Sequence, residues 1–263
     1  MRDVIVVGDV HGDGDRLLHI LRCLGIVRDM IWAGGSTSLV MMGDVLDGAE
    51  RSDNKFRSKL GDIETLIFLH DLKDQAEAAG GRVTLILGNH EIMNLSGQFT
   101  YVHTEDMKKC GGPEGRMALM TPPGFVHNLL SQWKLAHVEN RTLFCHAGVH
   151  TSIASSISDI SDLEVVTVDA HPLLLEHRQY MADDGSTADK NELRQMLDRL
   201  GCSTMVIGHN PVDKPGRTWN DMVMRSDSMM SRAFGASNTG HAICIRPSGF
   251  LKVVNIPFGP DLL

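Results

Sequence analysis

The chain has 263 residues, 42% of them apolar and 22% charged, which is ordinary for a globular protein and enough to bury a core without covalent staples. Its five cysteines form no Cys-x-x-Cys pair, which excludes a disulfide framework and a zinc-finger arrangement. A formal net charge of −8 argues against nucleic acid as a partner, and no apolar run approaches the length of a membrane span.

No signal-peptide pattern precedes the first apolar run, so a cytoplasmic protein without a membrane segment is expected. Val4-Ile5-Val6-Val7 reads as a central strand, ended by Gly8-Asp9-Val10-His11-Gly12. Residues 15–24 have helical spacing, with Leu17, Leu18, Leu21 and Leu24 on one face and Gly25 as a stop. A second strand over residues 38–42 runs into Gly43-Asp44-Val45-Leu46-Asp47-Gly48, where Gly43 lets the chain turn sharply. Residues 50–61 read as an exposed charged loop, and 63–79 as an amphipathic helix closed by Gly80-Gly81. A third strand over 83–87 ends in Gly88-Asn89-His90-Glu91.

Residues 93–140 lack a strand signal and are expected to form a helical and loop insertion that caps the substrate. Thr142-Leu143-Phe144-Cys145 is a fourth strand followed by His146-Ala147-Gly148. Residues 151–162 offer about one turn of helix, and 190–200 a full helix. A fifth strand, Thr204-Met205-Val206-Ile207, leads into Gly208-His209. Residues 241–246 and 250–256 flank Pro247-Ser248-Gly249 as a terminal hairpin. Strand and helix alternate, so parallel crossovers and an α/β layered fold are expected. The motifs use up the chain, which points to a single domain over 1–263.

Five strand ends each present a metal-type ligand: Asp9 with His11, Asp44, Asn89, His146 and His209. Chemistry collects at strand carboxyl ends in open α/β sheets. Carboxylates, imidazoles and an amide oxygen suit Mn, Fe or Zn better than Ca or copper. Two such ions, with Asp44 bridging them, can clamp a phosphoryl oxygen and supply hydroxide near neutral pH for in-line attack. The leaving oxygen then needs a proton. His90, beside Asn89, is the candidate general acid, and Asp47 the carboxylate that orients it. Phosphate oxygens also call for an arginine fork.

These motifs, in this order, resemble the phosphoprotein phosphatase branch of the metallophosphoesterases. Asn89-His90-Glu91-Ile92-Met93-Asn94-Leu95 with Tyr101-Val102, and the stretch from Asp227 through Ser231-Arg232-Ala233-Phe234-Gly235, resemble the bacterial-like Shewanella-type phosphatases within it. The resemblance implies a β-sandwich of two mixed sheets flanked by helices, which periodicity does not supply. It also implies that Asp9, His11 and Asp44 hold one divalent ion, that Asp44, Asn89, His146 and His209 hold a second, and that Asn89 also meets the substrate phosphate. His90 would be the acid, paired with Asp47.

Three positions depart from the family pattern. Gly48 stands where the family usually has a phosphate-binding arginine, and Arg51, three residues on, is the candidate replacement. Thr100 replaces the arginine before Tyr101-Val102. Residues 172–180 resemble the stretch that supplies another phosphate-binding arginine, but lack its aromatic; Arg178 is the matching position. The expected function is a dinuclear phosphomonoesterase acting on phosphorylated protein or a small phosphoester. The alternatives are a dinucleoside-polyphosphate or other nucleotide hydrolase and, prompted by Gly48, a metal- or phosphate-binding scaffold with weak catalysis.

Overall fold

The structure is a computed structural model, described here for residues 2–49, 58–164, 171–235 and 237–262. Its strands are β1 (Val4–Val7), β2 (Val27–Arg28), β3 (Ile31–Trp32), β4 (Ser38–Met41), β5 (Arg82–Leu85), β6 (Ala136–Glu139), β7 (Thr142–Cys145), β8 (Thr204–Ile207), β9 (Gly216–Thr218), β10 (Val223–Arg225), β11 (Thr239–Ile245) and β12 (Leu251–Pro257). Its α-helices are α1 (Gly14–Cys23), α2 (Asp62–Ala78), α3 (Asn89–Leu95), α4 (Thr104–Lys109), α5 (Gly112–Met120), α6 (Phe125–Leu130), α7 (Thr151–Ala154), α8 (Ser161–Glu164), α9 (Pro172–Leu175) and α10 (Thr187–Arg199).

Two five-stranded sheets carry the fold, in the orders β12-β11-β1-β4-β5 and β6-β7-β8-β10-β9. Both are mixed. In the first, β1, β4 and β5 run parallel and β11 runs antiparallel to both its neighbours, β1 and β12; in the second, β7, β8 and β10 run parallel between antiparallel β6 and β9. The α/β sandwich expected from the motifs is therefore present.

Side chains alternate between two burial layers, as a pleated strand requires. Val4, Val6, Val40 and Met42 of the first sheet meet Phe144, Val206 and Met224 of the second in a central core. Ile5, Val7, Leu39 and Met41 face outward beneath α1 and α2, in a core shared with Leu17, Leu21, Leu66 and Leu69. Leu143, Cys145, Met205 and Ile207 do the same beneath α10, with Leu193, Met196 and Leu197. The result is four layers, helix, sheet, sheet, helix. Every residue of β1, β4, β7 and β8 is buried, so these strands read as unbroken apolar runs and hide which face is which.

The segment 93–140 carries α4, α5 and α6 and also contains a strand. β6 pairs antiparallel with β7 across Asn140-Arg141, both at positive φ (48° and 59°), a two-residue turn whose twist suits a hairpin. Ala136-His137-Val138-Glu139 is too short and too mixed to announce itself. The helices of this segment pack on the first sheet's outer core through Met120, Val126, Leu130 and Trp133. Only Met93 and Tyr101 of the segment line the cavity at the strand ends.

Candidate active site

Asp9 and His11 follow β1, Asp44 follows β4, Asn89 and His90 open α3 after β5, and His146 and His209 follow β7 and β8. The structure brings all seven to one rim of the sandwich. Asp9, His11, Asp44, Asn89, His90, Arg178 and His209 line a cavity of about 400 Å³, together with Met93, Tyr101, Pro211, Asp227 and Phe234. A larger cleft of about 540 Å³ lies by Arg2 and Arg82, near the opposite ends of the strands. Among the described residues, the groups of metal-type ligands occur only at the first of these.

The backbone there is held in unusual shapes. His11, Asp44, Asp47 and His209 all have positive φ (42°, 49°, 70° and 57°), a region that costs a side-chain-bearing residue of order 1–3 kcal/mol. Neighbouring bonds enforce it: the N–H groups of Val10 and His11 donate to Asp44 O (3.0 and 2.8 Å), and Gly12 N–H donates to Val45 O (2.9 Å). Glycine is required where two of these turns touch. Gly43 sits at φ 93° with no room for a Cβ beside Gly88, and a Cβ on Gly88 would overlap Asp44 Oδ1.

Two groups of donors overlap at Asp44: His11, Asp44 and His90 in one, and Asp44, His146 and His209 in the other, with donor atoms inside each group within 4.8 Å of one another. His11 Nε2 is 3.7 Å from Asp44 Oδ2 and 4.0 Å from Asp9 Oδ2. His146 Nε2 is 3.3 Å from Asp44 Oδ1 and 3.2 Å from Asn89 Oδ1. Atoms so spaced suit a shared cation at about 2.0–2.2 Å from each. The imidazoles are also aimed. His146 Nδ1 donates to Met42 O (2.7 Å), and His209 Nε2 donates to Glu176 O (3.0 Å), so the opposite ring nitrogen of each turns inward. Asp9 Oδ1 is buried and has no hydrogen-bond partner among the described residues. An orphaned carboxylate oxygen facing other ligands is what a cation site leaves behind.

The buried charges point the same way. Burial, then Asp227 and Asp44, push the Asp9 carboxyl well above its usual range. Burial raises Asp227 to about 6. Burial works against ionisation of Asp44 too, but His146, His90 and His11 together hold it well below the usual value. Burial opposes charge on His146, yet Asp44 and Asp9 lift it to about 10, whereas burial, His146 and Arg178 push His209 down to about 3. A pocket this rich in buried carboxylate attracts a proton or a metal cation alike.

His90 stands beside the donors, with Nδ1 2.7 Å from Asp47 Oδ2 and Nε2 3.9 Å from Asp44 Oδ2. Its backbone N–H donates to Asp44 Oδ1 (2.9 Å), where the first turn of α3 favours a carboxylate. Arg178 lines the cavity and donates to His209 O (2.6 Å). Gly48 packs against Gly12, leaving a Cβ only 3.1 Å from Gly12 Cα, so an arginine at 48 would have to displace that turn. Arg51 lies outside the described residues.

Several residues of the site carry no ligand-like signature in the sequence. Glu91 accepts from the N–H groups of Asp44 (2.8 Å), Val45 (2.8 Å), Leu46 (3.1 Å) and Gly88 (2.8 Å), tying the two loops together. Asp227 follows β10 just as Asp44 follows β4, but three residues make too short a strand to flag it. Arg232 forks onto Asp13 (2.7 and 2.9 Å) while Ser231 Oγ donates to His11 O (3.0 Å), which seats Phe234 edge-on to His11 with ring centroids 4.9 Å apart. Tyr101 meets His90 in the same manner at 5.2 Å.

The sequence and the fold have counterparts among known proteins. A Shewanella-like protein phosphatase 1 of Plasmodium berghei is 29% identical over 252 residues, 87% of this chain and 67% of that protein. A Shewanella-like protein phosphatase 2 of Arabidopsis thaliana is 37% identical over 108 residues, 40% of this chain and 25% of that protein. An uncharacterised Schizosaccharomyces pombe protein is 34% identical over 61% of this chain, and the match spans 48% of its length. This chain thus matches about half or less of two of these curated relatives. Among solved structures, a cold-active protein tyrosine phosphatase superposes with a TM-score of 0.73 at 22% identity, covering 96% of this chain and 78% of that one. The resemblance read from the motifs is borne out in these relatives. The calcineurin-like phosphoesterase family matches residues 3–226, and this chain belongs to it.

Proposed function

We propose that the chain is a metal-dependent phosphatase for phosphomonoesters, with Asp9, His11, Asp44, Asn89, His146 and His209 holding two divalent cations and Asp44 common to both. The observation that carries the proposal is the overlap at Asp44 of two buried donor groups, one with His11 and His90 and one with His146 and His209, with His90 turned aside by its hydrogen bond to Asp47 and Asp9 within 4.0 Å of His11. When bound, such cations neutralise phosphoryl oxygens and make water nucleophilic near neutral pH. The donor set favours Mn, Fe or Zn.

The chain's own residues supply the rest. The Arg178 guanidinium and the Asn89 amide bind phosphate oxygens at the cavity wall and orient the ester for in-line displacement. His90 Nε2 delivers a proton to the leaving oxygen while Asp47 holds Nδ1 and fixes the ring. The protein-phosphatase names of the Arabidopsis and Plasmodium relatives support a phosphoprotein substrate.

The test is turnover of p-nitrophenyl phosphate by purified protein supplied with Mn. Asp44→Asn should lower kcat/KM by about 10³-fold, ~4 kcal/mol of transition-state stabilisation, and should reduce bound metal. Wild-type rates in Asp44→Asn on this substrate, or in His90→Asn on an alkyl phosphate, would sink the mechanism. Turnover of phosphopeptides against dinucleoside polyphosphates separates the protein substrate from the nucleotide one.

A further inference from the structure

His90 is not braced by Asp47 alone. Asp47 Oδ2 takes His90 Nδ1 at 2.7 Å, and its second oxygen, Oδ1, accepts from Asn94 Nδ2 at 2.8 Å. Asn94 Nδ2 also donates to His90 O (2.9 Å). Asn94 Oδ1 accepts from Arg116 Nε at 2.8 Å. Arg116 then grips Asp62 with two nitrogens, at 2.7 and 3.3 Å, and Asp62 Oδ2 accepts from Asp47 N–H at 3.4 Å. The bonds close a ring. Asp47, Asp62, Asn94 and Arg116 are all fully buried within it.

The ring is directional. An arginine Nε–H can only donate, so Asn94 must turn its carbonyl oxygen toward Arg116 and its NH₂ toward Asp47. Both Asn94 hydrogens are then committed, one to the Asp47 carboxylate and one to the His90 carbonyl. Without Arg116 the buried Asn94 carbonyl and the Asp62 carboxylate both lose a donor, and the ring that holds Asn94 and Asp47 in place opens. Arg116 comes from α5, in the helical segment expected to cap the substrate. Its guanidinium is fully buried and is not among the residues that line the cavity.

We infer that Arg116 is a positioning residue for His90, acting through Asn94 and Asp47 so that the imidazole points at the leaving oxygen. This rests on the assignment of His90 as the general acid, and the test keeps the two apart. Proton delivery matters most for a poor leaving group, so rates are compared on an alkyl phosphate and on p-nitrophenyl phosphate, using the metal-loaded protein.

His90→Asn should lose far more on the alkyl ester than on the nitrophenyl ester. Arg116→Met should show the same selectivity at reduced size, about 10- to 100-fold on the alkyl ester and under about 3-fold on the nitrophenyl ester, with KM little changed and metal content intact. Arg116→Lys should restore part of the loss. Should Arg116→Met fail to fold, the Asp62→Leu/Arg116→Met double variant removes both buried charges together and reads the same selectivity. Equal losses on both esters, or no loss, would overturn the role of Arg116. A His90→Asn enzyme without leaving-group selectivity would instead overturn the general-acid assignment, and the inference with it.

Discussion

The two sheets support their halves of the site differently. On the first-sheet side, buried charges do the bracing: Glu91 collects four backbone N–H groups, and Asp62 and Arg116 stand behind Asn94 and Asp47. On the second-sheet side, neutral groups suffice. His146 leans on the Met42 carbonyl, His209 on that of Glu176, and His177 on that of Gly148 at 3.0 Å. Charged braces give fixed geometry but fail badly when one member is lost. A carbonyl brace accepts one ring N–H and fixes the imidazole's direction without a buried counter-charge.

The contrast can be broken experimentally. Glu91→Ala should be the most damaging change, because four N–H groups lose a buried acceptor; about 3–5 kcal/mol of stability should disappear in a denaturant titration. A loss under 1 kcal/mol would mean that the first-sheet side does not depend on its charges. Next comes metal removal. Asp9 and Asp44 belong to one sheet and His146 and His209 to the other, so a bound cation cross-links them. Mn at a hundred times its Kd should add about 2.7 kcal/mol over chelated protein, read as a higher melting temperature.

Acid sharpens the contrast. Burial pushes His177 down to about 4, below its usual 6.5. Between those values the unfolded chain binds the extra proton, so this contribution is intact above pH 6.5 and lost as the pH falls toward 4. The loss should be about 2 kcal/mol, and hydrogen exchange at pH 5 should quicken on the second-sheet side before the first. His177→Gln should flatten that pH dependence. The smallest effect is expected of Arg178→Ala, a rise in KM of about tenfold, ~1.4 kcal/mol, with metal content unchanged.

The sequence exposes what lies at strand ends and conceals what lies behind them. Asp9, His11, Asp44, Asn89, His146 and His209 each follow an apolar run, and a turn between strand and helix is visible in any chain. The two-sheet arrangement is not visible, because β1, β4, β7 and β8 are covered on both faces and lose the alternation that would separate them. Arg116 is hidden for another reason. It lies in the fully buried ring with Asp62, and no local pattern distinguishes such a residue from a solvated arginine. Residues 93–140 show the same limit: nothing in their pattern announces that Met120, Val126, Leu130 and Trp133 join the core of the first sheet.

The link between His209 and Asp9 bears on how the molecule is made. The backbone N–H of His209 donates to Asp9 Oδ2 across 200 residues of chain. The stretch that carries Asp9, Asp44 and His90 leaves the ribosome more than a hundred residues ahead of His209. The donor set therefore stays incomplete until the segment carrying His209 has joined the one carrying Asp9, and full-strength metal uptake should report that the two have met.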